Sequence, residues 1–394
     1  MSTKKEIAIV LDSMNVGGVE KSLIEMLKGF DYHKFSVTLF LKDGNGPFQN
    51  LIPDNVNILY YGVTNPAEIL KESIRKLRIA ETANGILNRI LARINFDQYD
   101  LNAYYSARAL PYCSKKKFDC VIAYQVLSPL VVATALHRIH GEKNVLFVHG
   151  RNIRSAEVLS FFDRVYNRFD KVFCVSEKTR ADFSRDFPLT SPKTAVMYNL
   201  LDSKFILQRA REHCEIQDEG VSLVTVGRLV SIKGQQMVPQ TVRMLLDAGY
   251  DIRWYLVGDG PLRGEIEAEI QKYAVSDRVI LLGTKENPYP YIKNCDIYVQ
   301  PSFSEGYCTT TMEAKVLCKP VVTTDAPGMR EQFVSGENGL IVDAMAPEAL
   351  FEGIRTLLDH PELCRKFEEK LRQESFDDAA NAKELQKLYD FIES

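Results

Sequence analysis

A chain of 394 residues with 45% hydrophobic content carries enough apolar material for two α/β cores rather than one. A formal net charge of −3 lacks the basic excess of a nucleic-acid binder, so no nucleic-acid partner is expected. The start, Met1-Ser-Thr-Lys-Lys-Glu-Ile-Ala-Ile-Val-Leu-Asp12, has no signal-peptide core, and no apolar run reaches the ~18 residues of a membrane span; a cytoplasmic location is expected.

Short β-branched runs alternate with helical patterns along the chain. Glu6–Asp12, Ser36–Lys42, Asn55–Tyr61, Asp119–Gln125, Lys143–His149, Lys171–Ser176 and Lys193–Asn199 read as strands of one sheet. The pattern restarts at Val221–Arg228 and continues through Asp251–Gly258, Val279–Gly283, Asp296–Ser302 and Pro320–Asp325, which predicts a second parallel sheet and two Rossmann-like domains. Polar Ser203–Glu219 is the linker candidate. Helical patterns at Pro347–Asp359, Pro361–Gln373 and Ala379–Glu393 end the chain. The expected division is 1–202, 203–375 and a terminal helix in 376–394.

Two stretches invite other readings. Lys71, Arg75, Lys76, Arg78, Arg89 and Arg93 face only Glu72 and Glu81, and Ile86, Leu87, Ile90, Leu91 and Ile94 form a helical stripe. This fits an interfacial segment on an anionic membrane, making the protein peripheral on its inner face, and equally a helix pair packed on the first domain; Lys115-Lys116-Lys117 would extend the patch. Eight scattered cysteines contain no Cys-x-x-Cys pair, and His137 and His140 have no acidic or thiol company, so neither disulfides nor a metal site is predicted.

The densest chemistry lies at Ser302-Phe-Ser-Glu305-Gly306-Tyr307-Cys308-Thr309-Thr-Thr-Met-Glu313-Ala. A strand stops at Pro301, and a helix begins near Thr309, so Glu305 belongs to the loop and Glu313 stands about one turn into the helix. A helix N-terminus between two carboxylates suits a phosphate flanked by hydroxyl-rich rings. By themselves, two acids at this spacing are ordinary solvated residues. Arg228 and Lys233, beside Gly227 and Gly234, are spaced to converge on one anion, and fixed donors of this kind commonly supply ~3 kcal/mol each to a departing phosphate. Gly17 and Gly18 follow the first strand and precede a helix, where bare backbone can approach phosphates or simply make a tight turn.

The segment Pro301-Ser-Phe-Ser-Glu305-Gly-Tyr, Glu313-Ala and Lys319-Pro-Val-Val resembles the E-x7-E signature of family-4 retaining glycosyltransferases of GT-B fold. Gly17-Gly18-Val-Glu20-Lys, Val148-His149-Gly150, Val175-Ser176-Glu177, Asn199-Leu-Leu-Asp202, Val226-Gly227-Arg228 with Lys233-Gly234, and Val257-Gly258-Asp259-Gly260-Pro261 extend the resemblance over nearly the whole chain, in order. Cys318 departs from it, standing where the family usually has glycine.

The resemblance implies two Rossmann-like domains with an interdomain active-site cleft and a terminal helix that crosses back to the first domain. It further implies transfer, with retention, from a nucleotide sugar, UDP by family frequency, to a glycan or lipid-linked acceptor of bacterial surface-polysaccharide assembly. No metal or other cofactor is implied. By carry-over, Glu305 contacts the donor sugar with the backbone of Gly306, Tyr307, Cys308 and Thr309 beside it. Glu313 holds the ribose, Arg228 and Lys233 take the diphosphate, Thr284 and Lys285 reach the base, and His149 assists transfer. A nucleotide-sugar epimerase of the same fold, or a non-catalytic partner subunit, are the rivals; a phosphorylase would need a much longer chain.

Overall fold

The computed structural model describes residues 4–44, 46–62, 96–108, 110, 112–150, 155–216, 220–343, 345–374, 376 and 378–394. The chain divides into two compact units, Met1–Leu200 with Ala382–Ser394, and Leu201–Asn381.

The first unit holds a seven-stranded sheet whose strands are β1 (Lys5–Leu11), β2 (Phe35–Leu41), β3 (Val56–Tyr60), β4 (Lys117–Ala123), β5 (His140–Val148), β6 (Lys171–Cys174) and β7 (Thr194–Val196). Their order is β3-β2-β1-β4-β5-β6-β7, and every pairing is parallel. Side chains alternate across a strand, so central β1 feeds two cores: Ile7, Ile9 and Leu11 enter one, Ala8 and Val10 the other. This is why β1 reads as an unbroken apolar run, as parallel strands covered on both faces do. The terminal helix Asp378–Glu393 sends Leu385, Leu388, Tyr389 and Ile392 into the first of these cores, where Tyr389 stacks on Phe35 at 4.7 Å. Lys5 and Lys143 donate to the carbonyls of Ile392 and Phe391, each at 2.9 Å, placing two cations at the negative end of that helix.

The second unit holds β8 (Val221–Val226), β9 (Ile252–Val257), β10 (Val279–Gly283), β11 (Ile297–Gln300), β12 (Val321–Thr324) and β13 (Leu340–Val342), in the order β10-β9-β8-β11-β12-β13, all parallel. Strand β13 is absent from the sequence reading: three residues after a turn are too few to show a period. The polar stretch read as a linker is helical over Ser203–Arg209, because Asp202 caps it by accepting from Phe205 N at 2.9 Å and Ile206 is buried. In each sheet the chain leaves the first strand in one direction and later restarts on its other side. The reversal points lie between β1 and β4, and between β8 and β11. Ligands bind open sheets of this kind at the carboxyl ends of the strands flanking such a point.

Candidate active site

The loops after β8 and β11 meet at the second reversal point. Beyond Val226, Gly234 takes φ +70 with its α-carbon against Pro301, where an added Cβ would stand 1.9 Å from the carbonyl oxygen. That contact lays Lys233 alongside the β11 loop. Lys233 Nζ lies 2.7 Å from Glu305 Oε1 and 2.8 Å from Oε2, with the two side chains 23% and 9% exposed. Burial opposes the ammonium's charge, but Glu305 outweighs it, and the Lys233 pKa stands above its usual value. Gln235 Nε2 donates to the Arg228 carbonyl at 3.1 Å, fixing the turn that leaves Arg228 itself exposed.

The helix Thr309–Val316 begins at Cys308, which supplies no side-chain cap, so the first N–H groups face the loop uncapped by it. Its start is gripped from beneath. Gln332 Nε2 donates to the Cys308 carbonyl at 3.1 Å and its Oε1 accepts from Thr311 Oγ1 at 2.6 Å. The Cys308 thiol is buried against Ala326 and Met329, and burial together with Glu305 pushes it up to about 11. Gly306 and Tyr307 lie half-buried in the loop, against the Gly328 turn. Glu313 is wholly buried beside Tyr298 rather than open to the loop. Lys315, two residues further, is buried between the Phe333 and Phe376 rings and pairs with Glu374 at 2.7 Å. After β10, Thr284 is exposed, while Lys285 is held by Glu215 at 2.9 Å and the Tyr291 ring.

In the first unit, Gly17 and Gly18 sit at the start of the helix Gly18–Gly29, beyond the carboxyl end of β1. Gly17 is extended at φ −167, a conformation open to any residue, and the nearest atoms a Cβ there would meet belong to the movable end of the Glu20 side chain. His149 directly follows β5, with Tyr124 against its ring at 4.7 Å. Its Nε2 is buried with no protein partner, and burial, partly opposed by a hydrogen bond to the Tyr124 backbone, lowers its pKa to about 3. The imidazole is therefore neutral at ordinary pH. Ser22 Oγ links the Tyr124 hydroxyl at 2.9 Å to Asn199 Oδ1 at 2.8 Å.

The basic residues Lys71, Arg75, Lys76, Arg78, Arg89 and Arg93 lie outside the described residues. Lys116 pairs with Glu6 at 2.7 Å. His137 hydrogen-bonds Tyr104 and Arg168 at 2.8 and 2.9 Å, and among the described residues no cluster of three His, Cys, Asp or Glu side chains is placed to hold a metal. No described helix is long and apolar enough to cross a membrane. Sequence reasoning missed Tyr298, Gln300, Ser302 and Gln332. The first three are polar residues at alternate positions, two in β11 and Ser302 just beyond it, a period-2 signal that could have placed them on a common face.

Residues 16–205 match the family model Glycosyltransferase Family 4, and residues 208–374 match Glycosyl transferases group 1. Each match falls almost wholly within one of the two units. Relatives include the Campylobacter jejuni N-acetylgalactosamine-N,N'-diacetylbacillosaminyl-diphospho-undecaprenol 4-alpha-N-acetylgalactosaminyltransferase, 28% identical over 57% of this chain and 60% of that protein. Another is the Staphylococcus aureus capsular polysaccharide biosynthesis glycosyltransferase CapM, 28% identical over 35% of this chain and 37% of its own. The match thus spans about three fifths of the first relative's length and about a third of the second's. Anabaena HepE, solved in complex with UDP, superposes with a TM-score of 0.68 at 18% identity, over 98% of this chain and 100% of that one. TarM does so with 0.70 at 14% identity, over 100% and 99%. These likenesses establish the GT-B fold.

Proposed function

We propose that the chain is a metal-independent, retaining glycosyltransferase that moves a sugar from a nucleotide-sugar donor of the UDP class to a glycan or lipid-linked acceptor in surface-polysaccharide assembly. The observation that carries it is the Lys233–Glu305 pair at the β8/β11 reversal point, beside a helix start that lacks a side-chain cap. The names of the Campylobacter and Staphylococcus relatives, and the UDP complex of the Anabaena neighbour, support the choice of substrates.

In this reading the diphosphate meets the helix N–H groups, Arg228 and Lys233, and draws the Lys233 ammonium partly away from Glu305. Charge building on the departing phosphate is stabilised by these fixed donors. Glu305, its oxygens oriented by the surrounding loop, takes hydroxyls of the donor sugar. Glu313 would reach the ribose only by uncovering oxygens that are buried here. Thr284 and Lys285 stand for the base, and His149, neutral and with a buried Nε2 that has no protein partner, for assistance to transfer, as the family resemblance implies.

Calorimetric titration with UDP- and GDP-sugars in the absence of divalent metal tests the reading, with Arg228→Ala and Glu313→Ala as controls. Tight binding of one nucleotide class, weakened in both variants, supports it. Binding of none returns the chain to the non-catalytic partner reading. Peripheral docking through Lys71, Arg75, Lys76, Arg78, Arg89 and Arg93 belongs to the same proposal. Anionic liposomes should sediment the protein at low salt and release it at high salt; capture by neutral liposomes alone would sink the idea.

A further inference from the structure

Glu305 is the last member of a buried hydrogen-bonded chain. Ser302 Oγ lies 2.6 Å from Glu305 Oε1, Gln300 Nε2 lies 2.8 Å from Ser302 Oγ and 3.5 Å from the same carboxylate oxygen, and Gln300 Oε1 receives the Tyr298 hydroxyl at 2.8 Å and Thr310 Oγ1 at 3.1 Å. Tyr298 in turn accepts from Val226 N at 3.4 Å. Tyr298, Gln300 and Ser302 are all fully buried.

The direction of every bond follows from the carboxylate, which only accepts. Ser302 must give Glu305 its one proton, so its oxygen has to accept from Gln300, and only the Nε2 end of that amide can donate. The Oε1 end is then turned toward Tyr298 and Thr310, both hydroxyl donors. The chain cannot reverse without leaving two acceptors face to face in a buried site, which is why its polarity is fixed. It reaches from β8, through Val226, to the loop after β11, and Thr310 ties it to the first turn of the helix Thr309–Val316.

We infer that Gln300 is a positioning residue for the donor sugar: through Ser302 it sets the rotamer of Glu305, and through Thr310 it sets the helix start against that carboxylate. The inference rests on the proposed function and deepens it. Gln300 touches no substrate. It holds Glu305 against the pull of Lys233, which grips both oxygens from the other side, so that the carboxylate keeps its place when Lys233 turns to a diphosphate. The group that depends on Gln300 is thus the sugar, not the nucleotide.

The test compares wild type with Gln300→Glu, Gln300→Met and Ser302→Ala. Gln300→Glu keeps the shape and replaces only the donating Nε2, so Ser302 is left with two acceptors and one proton. For each protein the affinities for UDP and for the UDP-sugar that binds most tightly in the panel above are measured, with acceptor-free hydrolysis of that donor and the melting temperature. The expected result is a fall of tenfold or more in the affinity that the sugar adds to UDP, and of 10- to 100-fold, as an order of magnitude, in the hydrolysis rate, with UDP affinity held within about threefold. An unchanged sugar increment, or a parallel loss of UDP and UDP-sugar binding, overturns the inference. Where the Gln300 variants fail to fold, Ser302→Ala, at the loop end of the chain, gives the same readout. A wild type that binds no nucleotide overturns the functional reading as well, whereas a binding wild type with indifferent variants overturns this inference alone.

Discussion

Lys233 Nζ stands 2.7 Å from one oxygen of Glu305 and 2.8 Å from the other, so the two residues assigned to different parts of the donor neutralise each other. Each compensates a charge that the loop half-buries. Lys233→Met leaves a carboxylate supported, among the described residues, by Ser302 and Gln300, and Glu305→Gln leaves an ammonium with Arg228 as a charged neighbour. Each single variant should lose about 1–3 kcal/mol of stability, and the double variant less than the sum, because it removes both charges together. Denaturant unfolding of the four proteins checks this; strict additivity would show that the pair is not coupled.

Gly234 should tolerate no side chain. Its φ of +70 and the 1.9 Å approach of a built Cβ to the Pro301 carbonyl act together, since neither backbone can give way without moving Lys233. Gly234→Ala is expected to cost at least about 2 kcal/mol and to weaken nucleotide binding more than Gly227→Ala, whose added carbon meets its nearest neighbour, Gln235, only at 3.5 Å. Melting curves and UDP titration of the two variants make the comparison.

Cys318 adopts φ +52 at the end of the helix Thr309–Val316, where Lys319 N returns to the Ala314 carbonyl at 2.9 Å. That is the left-handed closing turn glycine fits without strain, and it accounts for the glycine usual at this place in the family the sequence resembles. Cys318→Gly should stabilise the protein by about 0.5–1 kcal/mol, and Cys318→Val should destabilise it by more. A drop in melting temperature for the glycine variant would contradict this.

His149 ties stability to pH. The unfolded imidazole takes up its proton near the usual 6.5 and the folded one only near 3, so between these values unfolding binds a proton. The contribution is fully present above about pH 6.5 and is lost as pH falls toward 3; for a group this buried it is on the order of 3 kcal/mol. His137, lowered to about 4 by burial and then by Arg168 and Arg108, acts in the same direction. His149→Gln should flatten the acid side of the stability profile, measured as unfolding midpoint from pH 7 downward. An unchanged slope would mean that the ring is solvated in the folded protein.

Alternation of short β-branched runs with helical patterns by itself determined two parallel sheets, because a strand buried on both faces is largely apolar, as Ile7–Leu11 of β1 is, and the spacing of Arg228, Lys233, Glu305 and the helix at Thr309 pointed to the loops after β8 and β11, which the structure brings together. Local pattern also carried the long helices from Pro347 to Gln373, each opened by proline. What only the tertiary structure decided are the relationships between loops that are remote in sequence. The three residues of β13 have no period to read, and Asp202 turns a polar stretch into a helix by a single cap. The pairing of Lys233 with Glu305 depends on β8 lying beside β11, and the chain from Tyr298 through Gln300 to Ser302 becomes a positioning device only when its end meets that carboxylate. Register and strand order bring these groups within hydrogen-bond reach, and burial makes each unpaired alternative costly; neither quantity is written in any one segment.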